Sequence, residues 1–277
     1  MTKFTRIIPL KRTLYWTREY GFTQFLKFVV ENRLAGKPLE SFRSIIPHIR
    51  GKYGLEIGGP SGIFRINAPL PIYALAGRID NVDYASKTIW NRSFTPNELQ
   101  GLYSSHIVSD ATTLHRIPDR KYDFVASSHV LEHIANPLKA LFAWNRVLKE
   151  RGSLILVVPD KKFTFDHRRS VTSFRHLVDD YSNNTLEDDI THLQEVLALH
   201  DLTLDPDAGN RVQFELRCKN NYVYRAMHHH VFNHTLLERA LGYTGYEVLA
   251  RGSCPPFHLW TIASKSRHHT DPLDSDR

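Results

Sequence analysis

From Tyr53 onward the chain alternates short apolar runs with segments whose apolar residues recur at helical spacing. Tyr53–Ile57, Arg78–Asp83, His106–Val108, Tyr122–Ser127 and Ser153–Val158 each have the length and content of a buried strand. Runs of that kind separated by helices predict βαβ units and a parallel sheet. The helix starts are written in cap residues. Thr95-Pro96-Asn97-Glu98 is a capping box with proline at the first helical position. Asn136-Pro137 repeats the signal; Leu138, Leu141, Phe142 and Leu148 then share a face, and Gly152, after Lys149 and Arg151, is the predicted stop. Asn233 is the predicted cap of a helix carrying Leu236, Leu237, Ala240 and Leu241, with Gly242 as its end. Glu247–Gly252 and His258–Lys265 read as two strands joined through Cys254-Pro255-Pro256, and so short a connection predicts an antiparallel pair.

The alternation fails in three places, which divides the chain. Residues 1–48 read as an N-terminal amphipathic helical segment with breaks near Gly36-Lys37-Pro38 and Pro47. It is expected to close over the site or to form a dimer contact. Residues 161–227 are polar and rich in Asp, Asn and His, and are expected to be a partly helical lid inserted over the sheet's ligand edge. Residues 266–277 are a polar tail. Residues 49–160 and 228–265 remain as the core.

Composition narrows the class. With 277 residues, 42% hydrophobic and 23% charged, the chain is an ordinary globular one, long enough to bury a large core without staples. Cys218 and Cys254 make no disulfide framework, which with the lack of an 18-residue apolar run predicts a cytoplasmic protein. The formal charge is +7, but Lys3, Arg6, Lys11, Arg12 and Arg18 fall in the first 18 residues without an acid. The excess therefore belongs to the N-terminal segment, and a nucleic-acid partner is not expected. The 16 histidines are the more unusual count, concentrated at 167–176 and 228–234.

The sharpest motif is Leu55-Glu56-Ile57-Gly58-Gly59-Pro60-Ser61-Gly62, at the end of the first predicted strand. Glycine lets a backbone come close to a ligand, and the turn offers N–H groups. The spacing matches neither a dinucleotide fingerprint nor a P-loop. Glu56 would repel a diphosphate and tolerate an ammonium group. Asp83, 27 positions on, ends the second strand, where an acid can accept both hydroxyls of a ribose, and Tyr84 can pack on an adenine. Asp110, followed by Ala111, comes after the third strand and can accept from an exocyclic amine. Ser128 and His129 come after the fourth, leading into Val130-Leu131-Glu132-His133. All four places are C-terminal strand ends, where open α/β sheets bind ligands.

So assembled, the chain resembles the class I S-adenosylmethionine-dependent methyltransferases over roughly residues 50–160 and 228–265. Glu56–Gly62 matches the family's first motif, Asp83 its ribose-binding acid and Asp110-Ala111 its adenine segment. Tyr122-Asp123-Phe124-Val125 through His133 is similar to its fourth-strand motif, and Gly152–Asp160 to its fifth strand. The resemblance implies a Rossmann-like α/β fold with a seven-stranded, mostly parallel sheet whose last strand is antiparallel. It implies S-adenosylmethionine as cofactor, held by Glu56, Gly58, Gly59, Gly62, Asp83, Tyr84, Asp110, Ala111, Ser128 and His129. Asn67-Ala68-Pro69-Leu70-Pro71 departs from the pattern, since the family enters a helix directly after its glycine loop. The Asp160–Asp166 stretch also resembles a bacterial subgroup that modifies glycans and secondary metabolites.

Methyl transfer from a sulfonium needs orientation and close approach, and a base only where the acceptor is protonated. Histidine suits that task. The candidates are His133, His176, His228 and His230, the last two on one side of an extended segment. Ordinary polar histidines, or a divalent metal held by them with Asp160 or Asp166, are the alternatives, and no metal site is assigned. Arg168, Arg169 and Arg175 read as lid surface or as receivers of an acidic acceptor. The expected activity is methylation of an oxygen or nitrogen on a small-molecule or glycan-type acceptor. The alternatives are an RNA or protein methyltransferase, or a non-catalytic cofactor-binding homologue.

Overall fold

The structure is a computed structural model, and it describes residues 43, 45–65, 68–86, 88, 102–254 and 256–266. The capping box at Thr95–Glu98, the tail, and all of the N-terminal segment but its last few residues lie outside that set.

Seven strands form one sheet in the order β3-β2-β1-β4-β5-β7-β6. They are β1 (Tyr53–Ile57), β2 (Arg78–Asp83), β3 (Ser105–Val108), β4 (Tyr122–Ser128), β5 (Leu148–Pro159), β6 (Tyr246–Cys254) and β7 (His258–Lys265). Every predicted strand is present. β1 to β5 pair in parallel, and only β7 runs antiparallel, between β5 and β6. β7 can reverse because Cys254-Pro255-Pro256 is too short for a crossover.

Side chains alternate across this sheet with period two and feed two cores. Leu55, Val125, Leu154 and Leu156 point into one, Phe124, Ala126, Ile155 and Val157 into the other. The first core is closed by helices α1 (Pro137–Val147) and α5 (His234–Tyr243), the second by short turns at Ile46–Ile49, Gly62–Phe64 and Ile72–Leu75. Pro47 lies in the first turn of its helical segment, a place where proline is tolerated, so it opens that turn. Buried Asp80 accepts hydrogen bonds from Tyr122 at 2.9 Å, Lys121 at 3.1 Å and Tyr53, tying β2 to β1 and β4.

The caps formed as written. Asn136 accepts from the Lys139 amide at 3.1 Å and Asn233 from the Leu236 amide at 2.8 Å. The stops differ. α1 ends at Val147, because Leu148 leaves it to pair with Tyr122 at the start of β5. α5 passes through Gly242 and ends at Tyr243; Gly245, at φ +82°, makes the left-handed turn.

Residues 161–227 are largely helical, with α2 (Phe174–Ser182), α3 (Leu193–Leu199) and α4 (Arg211–Lys219). They carry a small core of their own, from Leu193, Val196, Phe214, Cys218 and Met227. They meet the C-terminal strand ends at several points. Tyr84 donates to the carbonyls of Val223 and Tyr224 at 3.3 Å, Asn136 to that of Asp180 at 2.9 Å, and His133 to that of Met227 at 3.2 Å. No helix among the described residues is long and apolar enough to cross a membrane.

Candidate active site

The glycine loop lies at the end of β1. Gly58 has φ +70°, and a Cβ there would stand 2.5 Å from Val130 Cγ2. A Cβ on Gly59 would meet the Glu56 carboxyl carbon and the Tyr103 hydroxyl at 2.4 Å. Asn81, the register partner of Glu56 on β2, brackets the Gly59 peptide. Its Oδ1 accepts from the Gly59 amide at 3.0 Å and its Nδ2 donates to the Gly59 carbonyl at 3.3 Å.

Glu56 is 1% exposed. It accepts from Ser61 Oγ at 2.7 Å, Tyr103 at 2.6 Å and Tyr73 at 2.9 and 3.0 Å. Burial pushes its carboxyl up, and the three hydroxyls offset part of that. Glu56 thus sits beneath the loop and supports it, where the sequence suggested a carboxylate facing an ammonium group. Gly62 opens the turn Gly62–Phe64, and the next helical segment is the single turn Ile72–Leu75. Pro69 and Pro71 leave no long helix there to aim a dipole at a ligand, as the interrupted motif implied.

The other candidates line up along the same edge. Burial pushes the Asp83 carboxyl up to about 6, with the Tyr84 amide bond at 2.8 Å as its one offset. The Tyr84 ring carries the Arg225 guanidinium at 5.4 Å. Asp110 Oδ1 accepts from the amide and hydroxyl of Thr112 at 2.7 and 2.6 Å. It borders a cavity of about 430 Å³ lined also by Lys139, Glu187 and Arg225. The Ala111 carbonyl accepts from Trp144 at 3.0 Å. Ser128 ends β4, and His129, at φ +56°, places Nε2 2.8 Å from His258 Nδ1.

The histidines divide into two groups. The amides of His229 and His230 converge on the single carbonyl of Glu132, at 2.8 and 3.3 Å. The chain therefore turns at this point, and His228 and His230 do not share a side. His228 meets His133 with ring centroids 4.5 Å apart, and its Nδ1 bonds to Asp166. His230 lies with His176 and His192 at 5.7 and 5.4 Å, its Nε2 donating to the Ala135 carbonyl at 3.1 Å. Burial, with His228 beside it, drives His133 down to about 3. Burial disfavours charge on His228 too, but Asp166 outweighs it and holds that ring above its usual range. Asp160 instead caps the turn Lys161–Phe163.

The sequence matches the family model described as a methyltransferase domain over residues 31–251. The chain belongs to that family. No curated protein matches it in sequence. Among solved structures it is similar to an S-adenosylmethionine-dependent methyltransferase from Aquifex aeolicus, at 14% identity and TM-score 0.46, over 82% of this chain and 88% of the other. One from Mesorhizobium loti gives 13% and 0.47, over 81% and 96%. The Burkholderia thailandensis 1,6-didemethyltoxoflavin N1-methyltransferase, with bound S-adenosylhomocysteine, gives 12% and 0.45, over 93% and 87%. The family assignment rests on the sequence match.

S-adenosylmethionine is the methyl donor that the sequence resemblance implies, and the residues at this edge fit it. Gly58 packs on Val130, and Gly59 on Glu56 and Tyr103, so closely that a Cβ would collide, which keeps the loop's backbone bare beside an acid at the end of β2. Sequence reasoning missed Asn81, Tyr73, Tyr103 and Ser61, which fix the loop. It misread Arg169, which is 1% exposed, bonds to Asp166, Glu195 and the carbonyls of His228 and His229, and so belongs to the interior. Arg168 pairs with Asp201 and Arg175 with Asp179.

Proposed function

We propose that this methyltransferase methylates an oxygen or nitrogen of a small-molecule or glycan-type acceptor. The observation that carries the reading is the docking of residues 161–227 onto the ends of β2 and β4 through Tyr84, His133 and Asn136. An edge walled in this way suits a small acceptor. A polymer needs an open basic track, and Arg168 and Arg169 are spent on internal acids.

Bound S-adenosylmethionine supplies an activated methyl on sulfur. Gly58, Gly59 and Gly62 would hold its methionine end by backbone contact, Asp83 its ribose hydroxyls, and Tyr84, Asp110 and Ala111 its adenine, with Ser128 and His129 at the closing edge. Val130 links Gly58 to Glu132 and His133, so those two and His228 lie on the acceptor side. His176 and His230, grouped with His192, serve the packing of the insertion.

Calorimetry tests the donor site. Asp83→Ala is expected to weaken S-adenosylmethionine binding by about 10- to 100-fold, the equivalent of roughly 1.5–3 kcal/mol in charge-assisted hydrogen bonds. The pH dependence has a definite sign. The folded carboxyl of Asp83 is raised to about 6, so without ligand it favours the fold at low pH and loses that contribution as pH rises through 6. Ribose hydroxyls prefer the carboxylate, so affinity should fall as pH drops from 7 to 5, and Asp83→Asn should flatten the profile. Undiminished binding by Asp83→Ala would sink the donor assignment. Transfer of labelled methyl to RNA or protein, with none to small hydroxyl or amine acceptors, would overturn the acceptor class.

A further inference from the structure

We propose that Glu132, His133 and His228 form a binding site for a first-row divalent transition-metal ion just beyond the C-terminal end of β4. Glu132 and His133 stand in the turn Leu131–His133, and His228 arrives on the run that docks onto the Glu132 carbonyl. One donor atom from each residue lies within 4.8 Å of the other two.

The carboxylate is the first argument. Glu132 is 1% exposed, and neither of its oxygens has a hydrogen-bond partner among the described residues. His129 Nδ1 comes no nearer than 3.5 Å. Burying a carboxylate with only that long contact from an imidazole to hold it is costly. Glu56, equally buried, is by contrast satisfied within the protein, for it receives three hydroxyls.

The ring tautomers are the second argument. His133 Nδ1 faces the Met227 carbonyl at 3.2 Å, which can only accept, so the proton is on Nδ1 and the lone pair on Nε2. His228 Nδ1 faces the Asp166 carboxylate, itself held by Arg169 at 3.1 Å. Metal-binding histidines are oriented in this way, one nitrogen donating to a carbonyl or carboxylate while the other binds the ion. Two imidazoles and a carboxylate suit zinc, cobalt, iron(II) or nickel better than magnesium or calcium, which prefer all-oxygen sites. The second histidine group is a weaker candidate. His176 and His192 satisfy each other through an Nε2–Nε2 contact of 3.0 Å, and His230 Nε2 is given to Ala135.

What the ion would do rests on the methyl-transfer reading; that it binds does not. An acceptor hydroxyl on an open position of the ion would lose its proton to water more readily. Its oxygen would then form the new bond to the methyl carbon as the carbon–sulfur bond breaks, leaving a methyl ether and S-adenosylhomocysteine.

The test is titration of cobalt(II) into the metal-stripped full-length protein, followed by visible absorption, with zinc(II) calorimetry alongside. One saturable equivalent is expected. Glu132→Gln and His228→Gln should each weaken it at least about 100-fold, and Asp166→Asn, which loses the outer partner, about 10- to 100-fold. His192→Gln should bind as the unaltered protein does. Absence of saturable binding to the unaltered protein overturns the site whatever the variants do. Loss of binding in His192→Gln with retention in Glu132→Gln overturns it in favour of the second group. Should Glu132→Gln fail to fold, His133→Gln replaces it. S-adenosylmethionine calorimetry on the same stripped sample separates the two readings: normal donor binding without metal binding overturns this inference alone.

Discussion

Arg169→Met is expected to destabilise the protein by about 3–5 kcal/mol, a fall in melting midpoint of roughly 6–15 °C. The guanidinium is 1% exposed and reaches Asp166 at 3.1 Å, the His228 carbonyl at 2.9 Å, the His229 carbonyl at 3.1 Å and Glu195 at 3.3 Å. Methionine keeps much of the volume but leaves two buried carbonyls without donors and removes a cation from beside Asp166. Arg169→Lys should recover only part of the loss, since an ammonium cannot span four acceptors as a planar fork does. Differential scanning calorimetry gives the answer. A change under about 1 kcal/mol in the methionine variant would mean that Arg169 does not clamp the insertion to the 228–230 run. Because the same residue holds Asp166 against His228, the methionine variant should also lose metal at the proposed site, even at temperatures where it is folded.

The fold was legible because its signals are local. Asn136 and Asn233 sit at fixed offsets from the amides they cap, the strands are short apolar runs between turns, and a two-proline connector forces the last pair to reverse. The donor edge was legible for a related reason, since parallel strands put Gly58, Asp83, Asp110 and Ser128 at one edge wherever the helices go. The supports of that edge were not. Tyr103 reaches Glu56 from 47 positions away, and Asn81 meets it only because β2 lies beside β1 in that register. No spacing rule carries that information. Arg169 misled because its sequence neighbours are polar; its burial comes from carbonyls some sixty positions on. The histidines misled for a geometric reason. Alternation along an extended strand places i and i+2 together, but two amides bonded to one Glu132 carbonyl turn the chain and send His228 and His230 to different partners.

Gly58→Val joins the two halves of the site in one experiment. Gly58 has φ +70°, a region that costs an ordinary L-residue about 1–2 kcal/mol and a β-branched one more. Its new Cβ would also stand 2.5 Å from Val130 Cγ2, a contact that forces one of the two segments to move, at about 1–3 kcal/mol. Val130 itself precedes the turn that carries Glu132 and His133. The expected result is loss of S-adenosylmethionine affinity by at least about 100-fold, the equivalent of roughly 3 kcal/mol falling on the binding-competent loop. Gly58→Ala should lose less. Adding Val130→Ala to Gly58→Ala should restore part of the affinity by removing the collision, while the backbone cost at φ +70° remains. If strain alone governs the loop, the second substitution will recover nothing. If the loop is soft enough to absorb both, Gly58→Val will bind the donor as the unaltered protein does, and the close approach of glycine to ligand would no longer explain this motif. Cobalt(II) binding in the same variants shows how far the displacement travels: a shifted Val130 should weaken the proposed metal site in Gly58→Val and spare it in the Gly58→Ala, Val130→Ala pair.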